Sequence, residues 1–174
     1  MQDSGYSDGF GLFLERVDIA YVRDDQQLVK IFQKAGWFSA DEIALTSIAM
    51  LLKAYLLDQS YPTAPITPMF WNSYVNDFGF EKPTASNKIR ERHHVRFWKT
   101  NYKTNNGDFL YIGTTSLDAG IKWFVTHKIN PNIDAEREYL LNDLMKAVKI
   151  GTFDKIQFVD PKVGQNFTGD LFFT

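Results

Sequence analysis

The sequence has no cysteine among its 174 residues, and neither sign of charge dominates it. Without cysteine, disulfides, thiolate nucleophiles, iron–sulfur clusters and thiolate zinc sites are excluded. The 19 Lys and Arg residues against 21 Asp and Glu give a net charge of -2, so the chain lacks the cation excess of a nucleic-acid coat, and we expect no nucleic-acid partner. The modest content of 11 Gly and 6 Pro argues against a fibrous or disordered chain.

Long hydrophobic runs are also missing. The longest apolar stretch, residues 43–57, is interrupted by Thr46, Ser47 and Lys53. It is too short to span a bilayer and predicts a buried helix. No basic stretch followed by an apolar run marks a signal peptide. We therefore expect a soluble domain without a transmembrane segment.

Aromatic residues are abundant, at 16% of the chain, and supply the bulk of a sizeable core. At about 150 residues per domain, the length predicts a single domain. We assign residues 15–174 to this domain and residues 1–14 to an N-terminal extension.

The first half of the chain predicts one strand and two helices. Residues 17–22 alternate and are rich in β-branched side chains, which predicts a strand. Asp24 and Gly36 are placed to begin and end a first helix. A capping box over residues 39–42, stapled by Phe38 and Ile43, predicts a second helix that runs to about Leu57. Prolines at positions 62, 65 and 68 then predict an extended connector.

The second half predicts mainly strands. We expect strands over residues 69–75, 78–80, 93–103, 109–116, 122–129, 153–159 and 167–173, with an Asn106-Gly107 hairpin turn. Asn130-Pro131 predicts the start of a third helix that ends near Ile150. The order predicts an α+β domain with a mostly antiparallel or mixed sheet and about three helices packed on it.

Charged and imidazole side chains are concentrated in residues 92–98. In a regular strand, side chains alternate between the two faces. Arg92, His94, Arg96 and Trp98 then share one face, and His93 shares the other with Val95 and Phe97. Guanidinium groups bind phosphate or carboxylate, and imidazole exchanges protons near neutral pH. The face is therefore a candidate anion site, or alternatively a strand whose arginines pair with acidic neighbours.

The third predicted helix contains a cation where none is favoured. Arg137 interrupts the apolar stripe formed by Ile133, Leu140, Leu141, Leu144 and Val148, and it lies near the positive end of the helix dipole. Burial there requires an anionic partner. Asp134 and Asp118 are the candidate partners within the protein, and a ligand anion is the alternative. Glu136 and Glu138 are expected to face water.

Several familiar motifs are missing. There is no glycine-rich nucleotide loop of either standard type and no Gly-x-Ser-x-Gly elbow. His93, His94 and His127 lack the spacing of a zinc site, so we expect neither a metal nor another cofactor. Ser116, Asp118 and a histidine could be assembled into a catalytic triad, as in many chains of this size.

Five segments resemble the LssY C-terminal domain family. They are Ala35-Gly36-Trp37, residues 61–66, residues 92–98, residues 114–120, and residues 126–137 with Ile133-Asp134-Ala135-Glu136-Arg137. They occur in the order of that family. The resemblance implies a bacterial domain that is often joined to membrane modules, with phosphatase chemistry belonging to a different module. The family pattern usually continues after residues 171–174, so we expect a piece of a longer protein.

Two functions follow from these residues. The first is an accessory or binding domain whose Arg/His pocket holds an anionic small molecule, partner group or lipid headgroup. The alternative is a metal-independent hydrolase with His94 or His127 as general acid/base and arginines that stabilise negative charge. Arg96, His127 and the start of the third helix are expected to lie together. The full candidate ligand-binding set is Arg92, His93, His94, Arg96, Trp98, Asp118, His127, Asp134 and Arg137.

Overall fold

The polypeptide alternates between an antiparallel sheet and three helices within the described residues. A computed structural model describes residues 18–89, 91–122, 126–148, 163–165 and 171–173. Its elements are β1 (Asp18–Val22), α1 (Asp25–Lys34), β2 (Phe38–Ser39), α2 (Leu45–Leu56), β3 (Phe70–Trp71), β4 (Tyr74–Val75), β5 (Phe78–Pro83), β6 (Arg92–Lys103), β7 (Phe109–Lys122), β8 (Thr126–Ile129), α3 (Ile133–Ala147), β9 (Val163–Gln165) and β10 (Leu171–Phe173). The predicted α+β class and single domain are confirmed.

The main sheet has the strand order β1-β7-β6-β5-β2, and every pairing is antiparallel. The strand β7 is long enough to pair with β1 along its first half and with β8 along its second half. The predicted hairpin joins β6 to β7, and Gly107 has the positive φ, +86°, that this turn requires. This arrangement places β6 at the centre of the sheet.

Helices α1 and α3 cover one face of the sheet, which we call the helix face. Its core is aromatic: Phe32 of α1 stacks on Phe80 of β5 with ring centroids 4.3 Å apart, and Phe97 of β6 meets Phe32 edge-on. Trp37 and Leu140 also belong to this core. The predicted first helix is confirmed, since the Asp24 side chain accepts a hydrogen bond from the Gln27 backbone.

The opposite face is covered by residues 58–69, which we call the connector, and we call this side the connector face. Tyr61, Ala64 and Ile66 of the connector are buried. The approach is close at Gly79 of β5, where an added Cβ would lie 2.4 Å from Ile66 Cδ1. The connector is not extended throughout, because it contains a turn at residues 62–63, where the Ala64 backbone N–H donates to the Tyr61 carbonyl.

The second helix departs from expectation in two ways. It begins at Leu45 and not at the capping box over residues 39–42, because Phe38 and Ser39 pair with β5 and Asp41 accepts hydrogen bonds from Tyr61 and Thr63. In addition, most of the helix is not buried: within α2 only Ser47 and Ala54 are buried. Sheet pairing therefore takes precedence over the local capping signal.

The third helix is shorter than predicted. Its N-cap is Asn132, whose side chain accepts a hydrogen bond from the Ala135 backbone, so Pro131 precedes the cap and is not the first helical residue. It ends at Ala147, because Val148 is already extended. The expected strand over 153–159 and most of the one over 167–173 lie outside the described residues, and the described part of the latter is β10.

Candidate functional site

Both faces of β6 are buried at its first seven residues, Arg92 to Trp98. The helix face receives the apolar pair Val95 and Phe97. The connector face instead receives charged side chains, as the alternation predicted. We call the resulting group the polar cluster: Glu81 from β5, Arg92, His94 and Arg96 from β6, and Asp118 from β7. Each of its members is at most 8% exposed.

Glu81 and Arg92 form the most deeply buried contact of the cluster, with exposures of 0% and 2%. An Arg92 guanidinium N–H donates to Glu81 Oε2. Within the described part of the chain, Glu81 Oε1 and Arg92 Nε have no hydrogen-bond partner. A buried polar atom without a partner is unusual in a folded protein and calls for an explanation.

Two opposing effects act on the charge of Glu81. Burial is the larger and raises the pKa of its carboxyl group, whereas the charges of Arg92 and Arg96 lower it. The cluster contains two guanidinium groups, Arg92 and Arg96, and two acidic groups, Glu81 and Asp118.

His94 lies beside Asp118 in the middle of the cluster. Its Nε2 is 2.7 Å from Asp118 Oδ2, and Ser116 of β7 is its direct neighbour across the sheet. Burial lowers the pKa of His94 to about 4, against the attraction of Asp118 and with further lowering by Arg92 and Arg96. The imidazole is therefore neutral at physiological pH.

The connector and the β3–β4 hairpin are tied to the connector face by two side chains of β6. Arg96 Nε donates to the Thr67 carbonyl at 3.1 Å. Trp98 Nε1 donates to the Tyr74 carbonyl at 2.9 Å. The structure thus encloses the candidate anion site beneath the connector, and Trp98 anchors the hairpin.

His93 belongs to a different environment, on the helix face. Its Nδ1 lies 2.7 Å from Glu136 Oε2, and its ring stacks on Tyr139 with centroids 3.9 Å apart. Glu136 is 6% exposed, so the prediction that it faces water was wrong. The carboxylate is buried because His93 provides the polar partner that α3 needs there.

Arg137 has a carboxylate partner, as predicted for a structural clamp, but the partner is Asp18 of β1. Arg137 Nε donates to Asp18 Oδ1 at 2.9 Å, while Asp134 Oδ1 is 3.7 Å from the guanidinium and Asp118 is occupied by His94. The arginine is 28% exposed, less buried than expected. Burial raises the pKa of Asp18, opposed by Arg137 and by the hydroxyl of Thr115.

The structure therefore divides the predicted site residues. Arg96 is paired with Thr114 across the sheet, so both side chains lie on the connector face. The next residue of β7, Thr115, points to the helix face. There its hydroxyl donates to Asp18, the carboxylate partner of Arg137. The expectation that Arg96 lies with the Asp134/Arg137 helix start was wrong, because the sheet separates them. The backbone of His127 pairs with Ile121, and its side chain lies outside the description.

Two acidic residues of these networks were missed by sequence reasoning. Glu81 reaches the cluster because β5 pairs with β6 in a register that places it opposite His94. Asp18 was recognised only as part of a strand. The sequence alone does not show which side chains Glu81 and Asp18 contact. Their partners can be predicted only when the strand register is known.

Other site types receive no support within the described ranges. No three His, Asp or Glu side chains of the described chain are grouped to hold a metal ion. Two surface depressions border α1 and share Gln26 and Lys30 in their lining, and neither is lined by a residue of the polar cluster. None of the described helices is long and apolar enough to cross a bilayer.

The buried His94 predicts a pH dependence of stability. The unfolded chain binds a proton below about pH 6.5, whereas the folded protein binds it only near pH 4, so His94 makes stability fall as the pH drops through this window. Between pH 7 and pH 5 this contribution is about 2 kcal/mol. Urea unfolding of the wild type and of His94→Gln at both pH values measures it. A variant that loses as much stability as the wild type would contradict the assignment.

Comparison with known proteins gives one match. The model of the family described as LssY C-terminus matches residues 3–174, which is nearly the entire chain. No curated protein and no solved structure matches it. The polar cluster, both faces of β6 and the Asp18–Arg137 pair all fall within the matched residues.

Proposed function

The chain belongs to the LssY C-terminus family, and from that premise we propose that it is a binding domain whose polar cluster receives an anionic, phosphate-bearing group. The observation that carries the proposal is the buried Arg92 Nε, which has no hydrogen-bond partner among the described residues although another N–H of the same guanidinium donates to Glu81. A phosphate oxygen accepts the hydrogen bond that this N–H lacks. Guanidinium groups bind phosphate oxygens in the paired geometry that ammonium groups cannot provide.

The charge of the cluster supports the binding of an anion. Two buried guanidinium groups, Arg92 and Arg96, lie beside Glu81, whose charged form burial disfavours, and Asp118, which pairs with His94. A cation in a protein interior is costly unless an anion compensates its charge. In this proposal the bound group contributes to that compensation.

Access to the cluster involves the connector. The hydrogen bond from Arg96 to the Thr67 carbonyl occupies one donor that an anion would use. Opening this hydrogen bond makes Arg96 Nε available to the anion and lifts the connector from the connector face. Binding is therefore coupled to a local movement of the connector in this proposal.

Titration with inorganic phosphate tests the proposed function. We expect the wild type to bind phosphate with an affinity that falls as sodium chloride is raised. Arg96→Lys keeps the charge but loses the fork of donors, and we expect the affinity to fall about tenfold or more. Arg23→Lys, at an exposed arginine on the surface, is the matched control and should bind like the wild type. Calorimetry at two salt concentrations provides the measurement.

The proposal fails if the wild type binds no phosphate, or if Arg23→Lys loses as much affinity as Arg96→Lys. Thermal unfolding of each variant verifies that the comparison is made between folded proteins.

A hydrolase is the second candidate, and one observation favours it. His94 is paired with Ser116 across the sheet, and its Nε2 lies 2.7 Å from Asp118 Oδ2. This is the set of residue types in a Ser-His-Asp triad. All three are buried, which argues against substrate access in the closed arrangement. We expect no turnover of generic phosphoesters or carboxylic esters, and a rate abolished by both Ser116→Ala and His94→Ala would favour the hydrolase over the binding domain.

A further inference from the structure

Helix α2 presents an apolar stripe to solvent. The stripe consists of Leu45, Ile48, Ala49, Leu52 and Leu56. Their spacing of three or four residues places them on one side of the helix, as in helices that pack against another helix. Leu45 is 87% exposed and Leu56 is 70% exposed. The only charged residue within α2 is Lys53.

The stripe is not part of the domain core. The inner side of α2 packs on the connector through Ala54, with Leu51 and Tyr55 partly buried against the same group. Ser47 is also buried and hydrogen-bonds the chain at the start of the helix. The helix is thus fixed to the domain by one side, and the apolar stripe points away from that side.

The stripe offers enough surface for a small interface. Its Leu and Ile side chains, Leu45, Ile48, Leu52 and Leu56, are between 47% and 87% exposed. Their exposed surface is on the order of 500 Å², so two copies packed stripe to stripe would bury about 1,000 Å², the lower limit for a specific protein–protein interface.

We propose that α2 is a homodimer interface, in which the stripe packs antiparallel against the same stripe of a second copy across a two-fold axis. In this direction four of the five stripe residues meet a stripe residue of the partner, and Ile48 lies opposite Lys53. A two-fold axis between Ala49 and Leu52 places Leu45 opposite Leu56 of the partner and the small Ala49 opposite the large Leu52. An isologous interface requires this kind of correspondence.

A protein partner suits α2 better than a lipid surface. Helices that lie on a membrane carry several Lys or Arg residues beside the apolar face. Here Lys53 is the only cation of the helix, and the exposed acidic residues Asp41 and Glu42 precede it. The charge pattern therefore provides no attraction to anionic lipids.

Sedimentation equilibrium of the full chain tests the dimer. We expect a dimer for the wild type at micromolar concentration. Leu52→Glu is expected to weaken the dimer by about 100-fold or more, because it places a carboxylate at the centre of the interface. Met145→Glu, at an apolar residue of α3 that is 47% exposed, is the matched control and should remain a dimer. Both sites are exposed, so both variants are expected to fold.

A monomeric wild type overturns the proposal, whether α2 is covered by another part of the chain or by a different protein. A dimer that survives Leu52→Glu, or that is lost equally in Met145→Glu, also overturns it. Flotation with neutral phosphatidylcholine vesicles adds a second readout: recovery of a monomeric wild type, but not of Leu52→Glu, with the vesicles would assign the stripe to lipid instead.

Discussion

Replacing Arg137 by methionine is expected to lower the free energy of unfolding by about 3 kcal/mol. The change removes the charge that faces the partly buried Asp18 carboxylate, and the Thr115 hydroxyl alone cannot replace it. The value lies at the low end for a broken buried pair because Arg137 is 28% exposed and water already shares its charge. Urea unfolding at pH 7 measures the change.

A double-mutant cycle shows whether the loss comes from the pair. Asp18→Asn removes the charge that Arg137→Met leaves behind, so the double variant should be more stable than the sum of the two single changes predicts. Arg23→Met, at an exposed arginine, is the control and should change stability by less than about 0.5 kcal/mol. An Arg137→Met protein as stable as the wild type would mean that the residue is not a structural clamp.

Arg92→Met is expected to act in the opposite way: it should abolish phosphate binding and leave the free energy of unfolding within about 1 kcal/mol of the wild type, or raise it. Arg92 is only 2% exposed, but burial raises the pKa of its partner Glu81 and Arg92 lowers it, so without the guanidinium the carboxyl group takes up a proton and no buried charge is left unpaired. Methionine fills the space of the side chain without a charge. A binding residue that does not stabilise the fold shows this combination.

The measurement pairs unfolding with phosphate titration on the same protein sample. A loss of about 3–5 kcal/mol in Arg92→Met would show that Glu81 is ionised and that the two residues form a structural ion pair. In that case Glu81 compensates the charge of Arg92, and the polar cluster would not need a bound anion. Glu81→Gln is the matched variant, because it should retain phosphate binding if Glu81 is neutral in the wild type.

Local patterns in the sequence predicted the elements whose signals are local. The two-residue alternation of β6 assigned Arg92, His94 and Arg96 to one face and His93 to the other. The Asp24 cap predicted α1, and Asn106-Gly107 predicted the hairpin. These features depend on neighbours within a few residues, so the sequence contains the necessary information.

Features set by strand register or by distant packing could not be predicted in the same way. Asp18 and Arg137 are 119 residues apart in the chain and meet only because β1 lies beside β7 under α3. Glu81 joins the cluster through the β5–β6 register.

The capping signal near Asp41 predicted a helix start where the chain extends the sheet instead. The apolar composition of α2 predicted burial, whereas only one side of the helix has a partner within the described domain. In both cases the local signal predicted the wrong structure, because tertiary contacts decided where the helix starts and which of its sides is covered.

The central claim is that the polar cluster is an anion site, and crystals grown with sodium selenate test it most directly. Selenate resembles phosphate in shape, and the anomalous scattering of selenium locates it without ambiguity. We expect an anomalous peak within hydrogen-bonding range of Arg92 Nε and Arg96, with the Arg96–Thr67 hydrogen bond opened, and no such peak in Arg92→Met. Selenate found only at surface positions, with the cluster unchanged from its closed arrangement, would contradict the account.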